Sequence, residues 1–284
     1  MNKTFKITSE QFNIIYPVNI NPLSGSIFKI RLFKYWPYSR IMELLIKKEL
    51  VFVNPKLWKD PFEKLYLNTD YKELGLNQPK IYCFCVTTEL KNEEAAWNIY
   101  KVNNERTLRC NIDTNVLFEI LSQFAYENNF KVYFGNANYK LTNKEIFNLQ
   151  FPDNKYHKNY FSDFSIEKYL NVMTIKRQAF EYENELRIFM VSNKIENNNE
   201  DILRINIPED KLQKLFSGFT IQPFEPVVGQ DSVAKLESIK QEFEKKEIAK
   251  SIKLLYGETR VYTSSLYHNF EPIEKIYPVK PDMF

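Results

Sequence analysis

Ile81-Tyr82-Cys83-Phe84-Cys85-Val86-Thr87 is the most strand-like run in the chain, seven β-branched, aromatic and sulfur-bearing residues without a charge, a glycine or a proline. Reading outward from it decides the fold class. Toward the C-terminus, a helix is expected from about Asn92 to Tyr100 and a strand at Thr107–Ile112. A helix from Thr114 to about Tyr126 and a strand over Phe130–Tyr139 follow. Trp97 and Tyr100, three positions apart, share one helix face and should pack against the sheet. Toward the N-terminus, Ile27–Trp36 reads as a strand ending at Pro37, and Ser39 caps a helix carrying Ile41, Leu44, Leu45 and Ile46. Val51-Phe52-Val53 is a short strand closed by Pro55, and Asp60-Pro61-Phe62-Glu63 is a turn, because proline cannot continue either regular ladder.

The second half gives weaker signals. Tyr156–Tyr169 is crowded with aromatics at no clean period. Asn184–Val191 and Ile202–Ile207 read as a strand pair around a polar loop at 194–201. Asp231 opens a long amphipathic helix carrying Val233, Leu236, Ile239, Phe243, Ile248 and Ile252. Strands with helices dispersed among them predict a single α+β domain over residues 1–284, with a twisted, mixed, largely antiparallel sheet flanked by helices. Residues 1–26 form an N-terminal extension, 27–228 the core, and 229–284 a C-terminal helix and closing strand.

Composition excludes several chemistries. The chain has 284 residues and only 6 glycines, no two closer than eleven positions. A Walker loop or a Rossmann fingerprint needs several glycines in one turn so that backbone amides can close on phosphate. The 2 histidines, His157 and His268, are too far apart for a zinc-binding helix pair. Lys and Arg total 39 against 36 Asp and Glu, so net charge alone points to no nucleic-acid field. Cys83, Cys85 and Cys110, an odd number at strand-like positions, fit buried thiols in a reducing compartment. Lys3, Lys6 and Glu10 interrupt any secretory signal, and Pro17, Pro22 and Gly25 disqualify 11–28 as a membrane span. A cytoplasmic protein without membrane association is expected.

Four stretches could carry chemistry. In a continuous strand, Glu181, Glu183, Glu185 and Arg187 would share a face, where three carboxylates and a guanidinium could raise one carboxyl pKa or stabilise a developing cation. The plainer reading is an exposed polar strand face. Arg31-Leu32-Phe33-Lys34-Tyr35-Trp36 interleaves cations and aromatics that could clamp a phosphate and stack a ring, or simply cover a half-buried edge strand. Cys83 and Cys85 share a strand face, though two thiols make a poor metal cage and read more simply as core. Tyr156-His157-Lys158-Asn159-Tyr160-Phe161 could touch RNA or lie over the sheet.

The order of these blocks resembles a large bacterial family of unassigned function, domain of unknown function 2971. The resemblance rests on Leu32-Phe33-Lys34-Tyr35, on Phe52-Val53-Asn54-Pro55 leading to Asp60-Pro61-Phe62-Glu63, on Cys83-Phe84, on Trp97 with Tyr100, on Phe180 to Ile188, and on Val261-Tyr262 to Leu266-Tyr267. Lys59, Cys85, Phe180 and the Arg106-Thr107 region depart from the family's usual residues.

More distantly, the arrangement is similar to the ADP-ribosyltransferase superfamily. That resemblance implies NAD as substrate and no metal. Arg31 or Lys34 would hold phosphate, Tyr35 would stack or bind ribose, and Thr87 and Thr88 would support the second strand. Glu185 would be the catalytic carboxylate, with Glu183 two before it and Arg187 beside it. Breaking the nicotinamide–ribose bond creates oxocarbenium character that a carboxylate must face. The implied protein is an NAD-dependent enzyme, of the toxin or phage-defence effector kind, modifying nucleic acid or protein. Two other readings stay open: a metal-independent nucleic-acid-binding or RNA-cleaving protein, and a non-catalytic interaction protein.

Overall fold

Eight consecutive buried residues, Glu185–Ser192, form the strand that organises the first half of the molecule. In the computed structural model the described residues are 16–17 (backbone only), 31–64, 80–88, 96–97, 100, 105–151, 153–160, 165–192, 200–224, 227 and 231–264. The rest of the expected N-terminal extension, residues 27–30, most of the 92–100 helix, most of the polar loop and Leu266-Tyr267 lie outside them. The strands are β1 (Tyr16–Pro17), β2 (Leu32–Pro37), β3 (Glu49–Val53), β4 (Ile81–Thr87), β5 (Thr107–Ile112), β6 (Phe130–Asn136), β7 (Glu185–Ser192), β8 (Ile202–Asn206), β9 (Phe216–Ile221) and β10 (Val261–Thr263). The helices are α1 (Tyr38–Lys47), α2 (Thr114–Asn128), α3 (Asn143–Asn148), α4 (Lys155–Tyr160), α5 (Ile166–Val172), α6 (Glu209–Leu215) and α7 (Ser232–Tyr256). Helices thus flank mixed, mostly antiparallel strands, the α+β class that the sequence predicts. No helix among the described residues is long and apolar enough to cross a membrane.

The chain divides into two compact units. The first comprises Met1–Leu32, Glu49–Lys91 and Thr114–Ile207. Its strands run β1-β6-β7-β4, with β3 on β4 and β8 on β3, every pair antiparallel. Pleating sends alternate β7 residues to opposite faces. Phe189 and Val191 enter a core with Ile146, Leu149, Leu170 and Met173 from α3, α5 and their ends. Ile188 pairs with Phe134, whose ring meets Phe118 of α2 at 5.5 Å. With both faces covered and both edges paired, β7 reads as an unbroken apolar run after its first three residues.

Three local expectations need correction. The segment before β7 is a 3-10 turn, Gln178–Glu183, and Asn184 ends it at φ 40° in the left-handed region that asparagine tolerates. The Glu181–Arg187 stretch is therefore no continuous strand face. β7 and β8 do not pair: both edges of β7 are taken by β6 and β4, and β8 joins β3 from Glu49↔Asn206 to Val53↔Ile202. Ser39 does not cap α1, which begins at Tyr38 after Pro37. Its free N-terminal amides are satisfied from outside, Tyr38 N–H by the Arg106 carbonyl at 2.8 Å and Ser39 N–H by the Glu105 carboxylate. The aromatic run resolves into α4 and α5, the latter capped by Ser165.

The second unit comprises Phe33–Lys48, Asn92–Asp113 and Pro208–Phe284. Its strand order is β2-β5-β9-β10, antiparallel for β5/β9 and parallel for β9/β10. Asp231 caps α7 by accepting the Ala234 N–H at 2.8 Å. α7 buries Ala234, Ile248, Ala249, Ile252 and Tyr256. The Tyr256 hydroxyl both accepts from the Phe216 N–H and donates to the Phe216 carbonyl, each at 2.7 Å. Trp97 packs edge-on to Tyr35 at 4.8 Å, and Tyr100 stacks on Tyr35, as the three-residue spacing predicts.

Candidate functional site

Glu185 opens β7, and the register sets Thr87 of β4 opposite it and Cys85 opposite Arg187. The Arg187 side chain therefore rises on the same face as Glu185, into the first unit's interior, where it is 1% exposed. A bare guanidinium cannot stay there without partners for its N–H groups. Nε donates to Glu185 Oε1 at 2.6 Å, Nη2 to the Glu63 carboxylate, and Nη1 to the Met173 carbonyl. Its plane also lies over the Trp58 ring, 4.3 Å from the centroid. Gly135 of β6, opposite Arg187 on the other side, sets no side chain beside it.

Lys176 ties in the second carboxylate. Its buried ammonium donates to Glu183 Oε2 at 2.6 Å and to Glu185 Oε2, so Glu185 is gripped by one cation on each oxygen. The Glu185 N–H donates to the Tyr139 hydroxyl at 3.1 Å. Thr87 Oγ1 donates to the Glu183 carbonyl at 2.5 Å, and Thr88 N–H and Oγ1 both donate to the Asn184 carbonyl. These two hydroxyl residues fix the left-handed corner that aims Glu183 and Glu185 at one lysine.

A neighbouring pair borders the network. Arg177 Nε donates to Asp60 Oδ2 at 2.9 Å, and the guanidinium lies over Phe62 and Phe180. Asp60 Oδ1 accepts the Phe62 N–H at 3.0 Å, which shapes the Pro61–Lys64 turn and lifts Glu63 toward Arg187. Asp60-Pro61-Phe62-Glu63, expected only as a turn, and the candidate block around Glu183, Glu185 and Arg187 thus meet across 124 positions.

Three carboxylates face two cations in this network, so the cluster is neutral only when one carboxyl holds a proton. Among these carboxyls Glu183 is the one whose affinity for a proton is raised. Burial raises its pKa, the Glu185 charge reinforces the rise, and Lys176 offsets it only in part. For Glu185 the balance is opposite: burial alone would raise it, but Arg187 and Lys176 outweigh burial and hold it far below the usual carboxylate range. Lys176 is displaced upward for the same reason, its two carboxylates overriding the cost of burying an ammonium. Burial next to Glu185 likewise pushes the Tyr139 phenol up.

Thr87, Thr88, Glu183, Glu185 and Arg187 are therefore brought together in the first unit. Arg31 is exposed ahead of β2. Lys34 and Tyr35 lie in the second unit, Lys34 half-buried with its ammonium 5.8 Å from the Trp36 ring centroid and Tyr35 buried between Trp97 and Tyr100. Glu181 is exposed on the 3-10 turn. Lys176, Glu63, Trp58 and Tyr139 were not among the site residues that the sequence named. The signal for Lys176 was present, a cation, followed by Arg177, closing the run Val172-Met173-Thr174-Ile175 ahead of the carboxylate block. Compared with protein-family models, curated proteins and solved structures, the chain matches none.

Proposed function

We propose that the first unit is a glycosyl-transfer enzyme of the ADP-ribosyltransferase kind, cleaving the nicotinamide–ribose bond of NAD and passing ADP-ribose to a nucleic-acid or protein acceptor. One observation carries the reading: two carboxyl groups share one buried lysine, and their surroundings displace them in opposite directions. Such a split is how a fold obtains a proton-exchanging carboxyl beside a permanently charged one. It also exchanges the roles that the resemblance implies. Glu185 spends its charge on Arg187 and Lys176 and holds them in place. Glu183 is the carboxyl whose raised proton affinity suits proton exchange. In its ionised form, with the basicity its raised pKa gives, it takes the acceptor's proton as that group attacks the ribose carbon and nicotinamide leaves. The proposal uses neither Lys34 nor Tyr35.

The test is NAD consumption by the purified chain with RNA, DNA and protein acceptors supplied together. Glu183→Gln should lower turnover by about 10²–10⁴-fold, the range for one positioned acid or base, with the far-ultraviolet dichroism unchanged. Absence of NAD binding at millimolar concentration, or equal turnover by wild type and Glu183→Gln, removes the reading. Salt-sensitive nucleic-acid binding alongside that negative result would favour a nucleic-acid-binding protein instead.

A further inference from the structure

Cys83 and Cys85 point to the same side of β4, and their sulfurs stand 3.8 Å apart. Neither belongs to the proton chemistry above. Cys83 is buried in the core of the first unit, and Cys85 is half-buried. Cys85, like Trp58, Phe62, Tyr156 and Tyr160, packs against the core that holds Cys83. Burial pushes the Cys83 thiol well up.

We propose that this pair is a binding site for a soft monovalent metal ion, copper(I) as its chemical type, held between two thiolate sulfurs. Donor number excludes the commoner ions. Zinc demands four donors, and no third His, Cys, Asp or Glu joins the two sulfurs in a metal-holding group among the described residues. Calcium and magnesium demand oxygen. A soft d¹⁰ ion accepts thiolates alone. With metal–sulfur bonds near the thiolate value of about 2.3 Å, a linear pair needs its sulfurs roughly 4.6 Å apart. That is a small opening from the observed spacing, within the range of side-chain rotation.

Binding releases two protons, since Cu⁺ plus two thiols gives a bis-thiolate complex of charge −1 and two H⁺, with no change of oxidation state. The new anion forms on the face where Arg187 stands, opposite Cys85 in the register.

The experiment titrates the full-length protein with copper(I) under anaerobic conditions, in competition with a chromophoric copper(I) chelator. One equivalent should be taken up with a thiolate-to-copper ultraviolet band, and two of the three thiols should become unreactive to a thiol reagent. Cys85→Ser, at a half-buried position that tolerates the change, should abolish the uptake, and Cys110→Ser should leave it unchanged. Silver(I) should replace copper(I), whereas zinc should not bind. No uptake against the chelator, uptake that survives Cys85→Ser, or equal loss in Cys110→Ser overturns the proposal.

Discussion

Glu185 has no oxygen to spare: one accepts from Arg187 and the other from Lys176. Removing its charge would leave two buried cations facing only Glu63 and Glu183. Glu185→Gln should therefore destabilise the fold by about 3–5 kcal/mol, the usual cost of breaking a buried pair from one side. Glu181→Gln, on an exposed turn, should change stability by less than about 0.5 kcal/mol. Urea unfolding of the two variants measures both. A Glu185→Gln protein as stable as wild type would mean that the network does not hold β7 in place. Replacing Arg187 by lysine is no gentler, because an ammonium cannot donate in the three directions that Glu185, Glu63 and the Met173 carbonyl require.

At the scale of elements, α7 separates two kinds of apolar residue that helical periodicity alone had merged. Ile248 and Ile252 are buried, but Leu236, Ile239 and Phe243 are 53%, 65% and 64% exposed. The second group lies on the opposite side of the helix, so the sequence pattern located the helix and its cap correctly while assigning its first three turns to the wrong face. Ile252→Ala should cost about 2–5 kcal/mol, and Phe243→Ala less than about 1 kcal/mol. Thermal unfolding of the pair checks this; equal losses would place both side chains in the core. Trp97, buried against Tyr35, belongs with Ile252, and Trp97→Ala should cost about 3–5 kcal/mol. β8 shows the other limit of local reading. Its composition made it a strand, but its partner was set by which sheet edge remained open, and that is a property of β3, far away in sequence.

Across the molecule, what could be read in the sequence divides by range. Strand and helix periods are local, and β4, β5, β7 and α7 lie within a residue or two of where they were expected. The charge network is not local: Glu63, Lys176 and Arg187 come from a turn, a loop and a strand, and no spacing rule connects them. Glu183 and Glu185 were visible as a pair, yet their opposite displacements depend on which cation each meets after folding. Those displacements have a signature in how stability depends on pH. Glu185 titrates far below its ordinary 4.5 when folded, so its contribution is complete above that value and is lost as pH falls toward the folded pKa. Glu183 titrates above 4.5 when folded, so its contribution is complete below 4.5 and is lost as pH rises through the folded value. Relative to wild type, Glu185→Gln should therefore lose ground as pH climbs through the acid range to about 4.5 and then hold a constant deficit. Glu183→Gln should instead gain on wild type as pH rises from about 4.5 toward neutrality. Unfolding free energies measured from about pH 3 to 8 for the three proteins decide it. Two difference curves with the same slope would show that the carboxyls are not displaced in opposite directions, and the acid–base assignment built on Glu183 would fall with them.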